Sequence, residues 1–452
     1  MSNVDEQAEI AAEAKAAEVV LGARTPSEGK DWTPGAIYAL AFLTLISTLN
    51  YFDRSVLSLV LPLIKQEFKA SDTTLGAVTS LILFYAVFGV PIAWLAERWS
   101  RRNVIAIGLA FWSLMTSLTG FAGGIWQLGV FRFFMGIGEG CGLAPSQSMI
   151  SDIFSKAKRP LALSIITTAS SISLIVYSPI AGWIAQHYGW RWTFFLAGMP
   201  GMVLAIVFYL TVREPARRAA ASPAGAPAAA AAPTAPLHET MRFLLGSRAY
   251  LLMLLGTALM GVYLYGVGAW GTMFLTRVRH FNIQEVGSYI QPIRGAVAAA
   301  GILLGGFLTT RLEGVDERWR CWLPGIACLL LAPCEFLYVF AGPEPVWISA
   351  MIVASLFSIM HQGPIYAAYV SVAKPRMRAV SVSVALLGAT VVGQFGGPIL
   401  IGRMNDVLHD RYGDLAIRYS MLLVMACSVV AGLCFLAASR FIVADTRRAA
   451  EG

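Results

Sequence analysis

From Trp32 onward the chain runs through twelve apolar stretches, each long enough to cross a bilayer as a helix, and no soluble fold buries that much apolar surface. They cover residues 33–64, 73–97, 103–123, 126–153, 160–186 and 191–212, then 248–276, 286–311, 319–341, 345–372, 378–402 and 417–440. In lipid every backbone amide must find its partner inside the segment, so runs of this length are predicted to be helices. Between the two sets of six, residues 213–239 read REPARRAAASPAGAPAAAAAPTAPLHE, a Pro/Ala-rich connection without apolar periodicity. The predicted fold is an all-α membrane protein, twelve transmembrane helices in two pseudo-symmetric six-helix bundles. Its parts are a tail over 1–31, a first bundle over 32–212, a linker over 213–247, a second bundle over 248–441 and a tail over 442–452.

Composition agrees, with 57% hydrophobic and only 13% charged residues. The net charge of +8 does not imply a nucleic-acid partner, because the basic residues sit in short clusters between apolar runs. Arg98, Arg101 and Arg102, then Lys156, Lys158 and Arg159, then Arg311, Arg318 and Arg320, then Lys374, Arg376 and Arg378 all follow even-numbered spans. By the positive-inside rule both termini and the linker are expected on the cytoplasmic side. Residues 1–31 are Ala- and Glu-rich without a basic segment leading into a short apolar core, which argues against a cleaved signal peptide. Six cysteines (Cys141, Cys321, Cys328, Cys334, Cys427, Cys434) lie in or beside apolar runs, with no CxxC pair and no histidine at metal spacing. Neither HExxH, GxSxG nor a P-loop is present, so neither an enzyme, a metal site nor direct ATP coupling is expected. A monomer without cofactor is the expectation, with the bilayer as its surroundings.

Charges inside the apolar runs point to chemistry, since a lone Asp or Arg near a helix centre costs roughly 2.5–3.5 kcal/mol on insertion scales. NYFDR in the first span places Asn50, Asp53 and Arg54 at i, i+3 and i+4, on one expected stripe. FRFFMGIGEGCGLAPSQSMISDIF in the fourth places Arg132, Glu139 and Ser146 seven residues apart, again on nearly one face. The alternating glycines 136, 138, 140 and 142 read as close helix packing. Asp53 and Glu139 are the candidate proton-coupling groups, because burial and a neighbouring guanidinium make opposite demands on a carboxyl's proton. Arg54 either tunes Asp53 or holds an anionic head group. In the fifth span Ser164, Thr167, Thr168, Ser170, Ser171 and Ser173 either line a wet cavity or bond back to their own helix.

The second half is less charged. Arg294 is the candidate anion holder there, by charge-assisted hydrogen bonds. His361, Gln362 and Tyr366 lie in the tenth span, where HQGP falls roughly where Glu139 to Pro145 falls in the fourth. His361 is either a buried hydrogen-bonding group or a second titrating one.

After the second span, AWLAERWSRRN resembles the GxLxDRxGRR signature of the major facilitator superfamily, with Leu95, Arg98, Arg101 and Arg102 matching. Ala93, Glu97 and Ser100 stand where the signature has Gly, Asp and Gly. Glu97 with Arg98, Arg101 and Arg102 is the candidate cytoplasmic gate, a charge network able to lock one conformation. NYFDR, RFFMGIGEG, SDIFSKAKRPLALSI, YGWRWTFFLAGMPG, TVREP and PRMRAVSVS together resemble the Spinster family of that superfamily, over nearly the whole chain. NYxDR and GEx are shared with its organic anion and sugar-acid carriers. SSISLIVYSPIAGWIA departs from the antiporter pattern GPxxGG by placing Ser178 at a glycine position. The resemblance implies a proton-linked carrier, in a bacterial inner membrane, of a small amphiphilic substrate of the lysophospholipid or sphingoid-phosphate kind. It also implies roles for Asp53, Arg54 and Glu139.

Overall fold

The computed structural model describes residues 32–155, 158–215 and 237–451. The tail over 1–31 and the linker residues 216–236 lie outside them. Among the described residues the long helices form twelve rods. In the first bundle these are α1 (Pro34–Phe68), α2 (72–98), α3 (Arg101–Thr119), α4 (125–153), α5 (159–188) and α6 (Trp190–Thr211). The second comprises α7 (Arg248–Val278), α8 (283–312), α9 (Trp319–Phe340), α10 (344–371), α11 (Arg378–Tyr412) and α12 (Ala416–Ala438). Local chemistry sets their ends. The Thr33 hydroxyl accepts the Ala36 amide at 3.2 Å ahead of Pro34 at the first turn of α1. Lys69 closes α1 in the left-handed region at φ 48°.

Pseudo-symmetry shows in the irregularities. Where the glycines crowd, α4 stops at Glu139 and restarts at Leu143; α10 likewise turns at His361, just before Gly363 and Pro364. In α5 and α8 a five-residue π segment, Ser173–Tyr177 and Val286–Ile290, precedes Pro179 and Pro292. Proline lacks the amide that an α-helix needs, and a wider turn accommodates the loss. These two helices meet across the bundles so closely that a Cβ on Gly287 would stand 2.6 Å from the Ser178 carbonyl.

The apolar cores show how the bundles are joined. One large cluster runs through both, taking Val56, Val60 and Leu75 from the first with Trp270, Phe274 and Ile401 from the second. At the end where α1 begins and α6 finishes, the first bundle has its own core around Leu43, Trp112, Phe154 and Phe208. The molecule is therefore fused at one end and divided at the other. Around the outside large apolar side chains stand bare, Trp126 75%, Leu303 74% and Leu210 73% exposed, as a surface made for lipid does.

Three stretches differ from the sequence expectation. α11 continues as helix through Tyr412, beyond the apolar run ending at 402, because its polar last turns bond to α2. Leu237–Leu245, inside the stretch read as linker, is helical. So is Ile442–Ala450, read as a tail; its Asp445 accepts the Ser247 hydroxyl at 2.6 Å and the Ala249 amide at 2.9 Å at the start of α7.

Candidate functional site

A cavity of about 430 Å³ lies between the bundles, and both contribute to its wall. From α1 comes Arg54, whose Nε donates to Glu139 Oε2 of α4 at 3.0 Å. The guanidinium also lies 3.9 Å over the Tyr85 ring of α2, a cation–π seat that fixes its plane. Glu139 ends the first segment of α4, where a helix C-terminus disfavours an acid, and the ion pair offsets that. The Glu139 side chain is fully buried whereas that of Arg54 is 24% exposed, so the arginine faces the cavity and the acid stands behind it. As the glycine pattern suggested, Gly138 packs on α3, where a Cβ would meet Trp112 Cβ at 2.9 Å.

Asp53 does not share that face. Successive residues of a helix point about 100° apart, and this step sends Asp53 into the first bundle while Arg54 enters the cavity. Asp53 is wholly buried, with Arg132 and Thr116 as neighbours, and neither carboxylate oxygen has a protein hydrogen-bond partner. The expected single stripe of Asn50, Asp53 and Arg54 is thus divided, and Arg54 pairs with Glu139 rather than Asp53. Arg132 lies between these worlds. Its Nη1 donates to the Asp53 carbonyl at 3.1 Å, its guanidinium sits 4.5 Å over Phe194, and part of it reaches the cavity wall.

From the second bundle the cavity receives Arg294 and Gln291 of α8, Tyr265 of α7 and Gln394 of α11. His361 is buried away from it at the turn of α10, stacked on Phe435 at 6.4 Å. Gln362 and Tyr366 follow on the same helix, half-buried, with Tyr366 facing Tyr51 and Tyr85 across the bundles. In α5 both readings of the hydroxyl cluster hold, and Ser170 satisfies both, since its hydroxyl also donates to the Thr167 carbonyl at 3.3 Å. Thr167 and Thr168 bond back to the carbonyls of Ser164 and Ile165 at 2.7 Å, whereas Ser170 and Ser173 line the cavity.

The ends of the molecule hold two charge networks. Arg101 at the start of α3 is buried; its Nη1 donates to Asp152 of α4 at 2.5 Å and its Nε to Glu214 after α6 at 3.1 Å. Glu214 also accepts the Arg102 amide at 2.7 Å and the Ser100 hydroxyl at 2.8 Å. All of these groups belong to the first bundle. Arg98 lies over Trp94 and Arg102 over Tyr209, and the side chain of Glu97 lies outside the described residues.

The contacts that do cross between bundles are at the opposite end, and sequence reasoning missed them. Asp72, opening α2, takes a bidentate pair from Arg277 at the end of α7 at 2.7 and 2.8 Å. Lys65 of α1 reaches it at 2.5 Å and Asn405 of α11 at 3.0 Å. Asp406 of α11 in turn accepts the amides of Asp72 and Thr73 at 2.9 and 2.8 Å, capping α2 from the other bundle.

Two helical bundles around a charged cavity, tied to each other by charge contacts at one end, define a secondary transporter rather than an enzyme. Residues 43–398 match the family described as the Major Facilitator Superfamily, and the chain belongs to it. It is 28% identical over 409 residues to an MFS-type efflux pump of Mycolicibacterium smegmatis, covering 89% of this chain and 92% of that protein. It is 26% identical over 452 residues to the sphingosine-1-phosphate transporter SPNS2 of Danio rerio, covering 92% of this chain and 86% of the relative. Among solved structures it resembles a bacterial homologue of the human lysosomal transporter Spinster, inward-facing and unoccupied. The TM-score there is 0.82 with 26% identity over 91% of this chain and 98% of the other. The resemblance to Spinster proteins read from the motifs is therefore borne out.

Proposed function

We propose that this multi-pass membrane protein moves an anionic or zwitterionic amphiphile, of lysophospholipid or sphingoid-phosphate type, by proton-coupled alternating access. The observation that carries the reading is the cavity itself. Arg54, Arg132 and Arg294 supply cationic wall for a head group, and Leu57, Val78, Ile82, Leu174, Leu264 and Ile359 supply apolar wall for a chain. Glu139 holds Arg54 until a proton replaces it, whereupon the arginine is free for the anion; Asp53, buried behind the wall against Arg132, is the second proton acceptor. With the termini in the cytoplasm of a bacterial inner membrane, the latched end is the outer one and this state faces inward. Arg98, Arg101 and Arg102, with Glu97, then sit at the cytoplasmic mouth, and the ion pairs of Arg101 there stay within the first bundle.

A second reading has one specific observation in its favour. Ser55, Ser58, Ser170, Ser173, Ser355 and Ser358 also line the cavity, and hydroxyls at this density suit a small polar anion such as a sugar acid. Thermal-shift screening of lysophospholipids against hexonates separates the two; stabilisation by hexonates alone would reverse the ranking. Coupling is tested in proteoliposomes by an imposed pH gradient. Asp53→Asn and Glu139→Gln should insert and fold yet lose gradient-driven uptake, and uptake unchanged in both sinks the proposal.

A further inference from the structure

The second bundle contains a buried acid of its own. Glu335, in the outer half of α9, is 5% exposed, and its Oε1 accepts the hydroxyl of Tyr263 from α7. No described ion pair includes it. Arg294 of α8 faces the carboxylate within Coulombic reach, and so does Tyr338, one turn further along α9. Tyr338 is 1% exposed and its hydroxyl has no protein hydrogen-bond partner. Beyond it stand Arg279, facing Tyr338, and Arg418 of α12, facing Arg279. The rest of what α12 brings is apolar: Met421, Leu422 and Met425 close a small cavity of about 10 Å³ against Tyr263 and Glu335, about the room that one water needs.

Arg294 therefore repeats, in the second bundle, what Arg54 does in the first. Each arginine lines the shared cavity and has a buried carboxyl within Coulombic reach. The difference is in the partner. Glu139 is tied to its arginine by a direct bond, whereas Glu335 is tied to a neutral phenol, so its charge has no compensating ion in contact.

We propose that Glu335 is a further proton-carrying group, the first in the second bundle, linked to the cavity through Arg294, and that the two arginines together clamp a phosphate monoester between the bundles. With a proton on Glu335, the charge of Arg294 is directed wholly to the cavity; when the proton leaves, the carboxylate competes for it. A dianionic head group matches one guanidinium from each bundle, and bridging them draws the halves together. This rests on the proton-coupled reading above and adds to it an acceptor in the other bundle.

The test uses the purified full-length chain and dodecyl phosphate as the probe. Calorimetry in buffers of different ionisation enthalpy counts the protons taken up on binding, for wild type, Glu335→Gln, Tyr263→Phe and Glu139→Gln. Glu335→Gln should take up one proton fewer than wild type, with a correspondingly shallower dependence of log Kd on pH. Tyr263→Phe keeps the carboxyl and should keep the proton count while shifting its pH midpoint, which guards against a Glu335→Gln protein that fails to fold. If wild type takes up protons and both variants match it in count and midpoint, the inference fails and the coupling through Glu139 stands. If wild type takes up none, the proton-coupled reading fails and this one with it. Binding of methyl dodecyl phosphate as tight as that of dodecyl phosphate would overturn the two-arginine clamp.

Discussion

The networks around Arg101 and around Asp72 use the same chemistry to opposite ends. Each gathers buried charge where helices meet the membrane boundary and satisfies it with short, charge-assisted bonds. Arg101 bonds only to groups of its own bundle, so the bundle can rock as a unit and carry the cluster with it unbroken. Asp72 is bonded by both bundles, so it must lose partners whenever that end opens. A charge cluster becomes a gate through the topology of its partners, and its composition alone does not reveal which kind it is.

The largest effect that would break this contrast is expected at Arg101. Arg101→Ala strands Asp152 and part of Glu214, and losing one member of a buried pair costs about 3–5 kcal/mol. The melting temperature of the detergent-purified variant should fall accordingly, with the balance of inward and outward states little changed. At Asp72 the expectation is reversed. Asp72→Asn weakens the inter-bundle latch by roughly 1–3 kcal/mol, so that a cysteine placed at Ser58 on the cavity wall should label faster from the latched side. Equal labelling in both proteins would show that Asp72 is no latch. Gly76→Val tests the same closure without touching a charge. A Cβ there would stand 2.4 Å from the Pro398 carbonyl of α11, and an overpacked contact of this kind costs roughly 1–3 kcal/mol, again favouring the state open at the latched end.

The smallest effect concerns pH. Burial works against the charged form of Glu214, but the Arg102 amide, the Ser100 hydroxyl and the Arg101 guanidinium outweigh it and hold its carboxyl below the ordinary range. A depressed pKa adds stability that is fully present above the unfolded-state value and is lost as pH falls through the folded one. Glu214→Gln should therefore leave the melting temperature slightly lower at neutral pH and flatten its decline on acidification, as a thermal series from pH 7 downward would show.

How far the sequence spoke can be judged from particular residues. Membrane class and the two-bundle fold were legible because lipid imposes a minimum helix length that composition cannot hide. The positions of Arg54 and Glu139 were legible as charges too costly to be idle. Their partners were not: Arg54 sits beside Asp53 in the chain but bonds to Glu139, 85 residues away. The RWSRR cluster announced a network, yet its acids come from the ends of α4 and α6, which local spacing cannot disclose. Asp406 lies past the apolar part of α11, and so fell outside a reading that followed hydropathy. Glu335 had a signal of the same kind as Asp53, a carboxyl inside an apolar run, and the same reasoning applied to α9 would have found it.

The contact between Asp445 and the opening turn of α7 bears on the order of assembly. Its acceptor lies 198 residues downstream of Ser247, so α7 enters the membrane before the group that finishes its first turn has been synthesised. The second bundle is complete only when α12 is in place and the following helix has folded back. Until then Ser247 alone caps α7, through the Tyr250 amide. Assembly of this half thus has a final, chain-closing step, whereas the tie of Glu214 to α3 is available to the first half as soon as α6 has emerged.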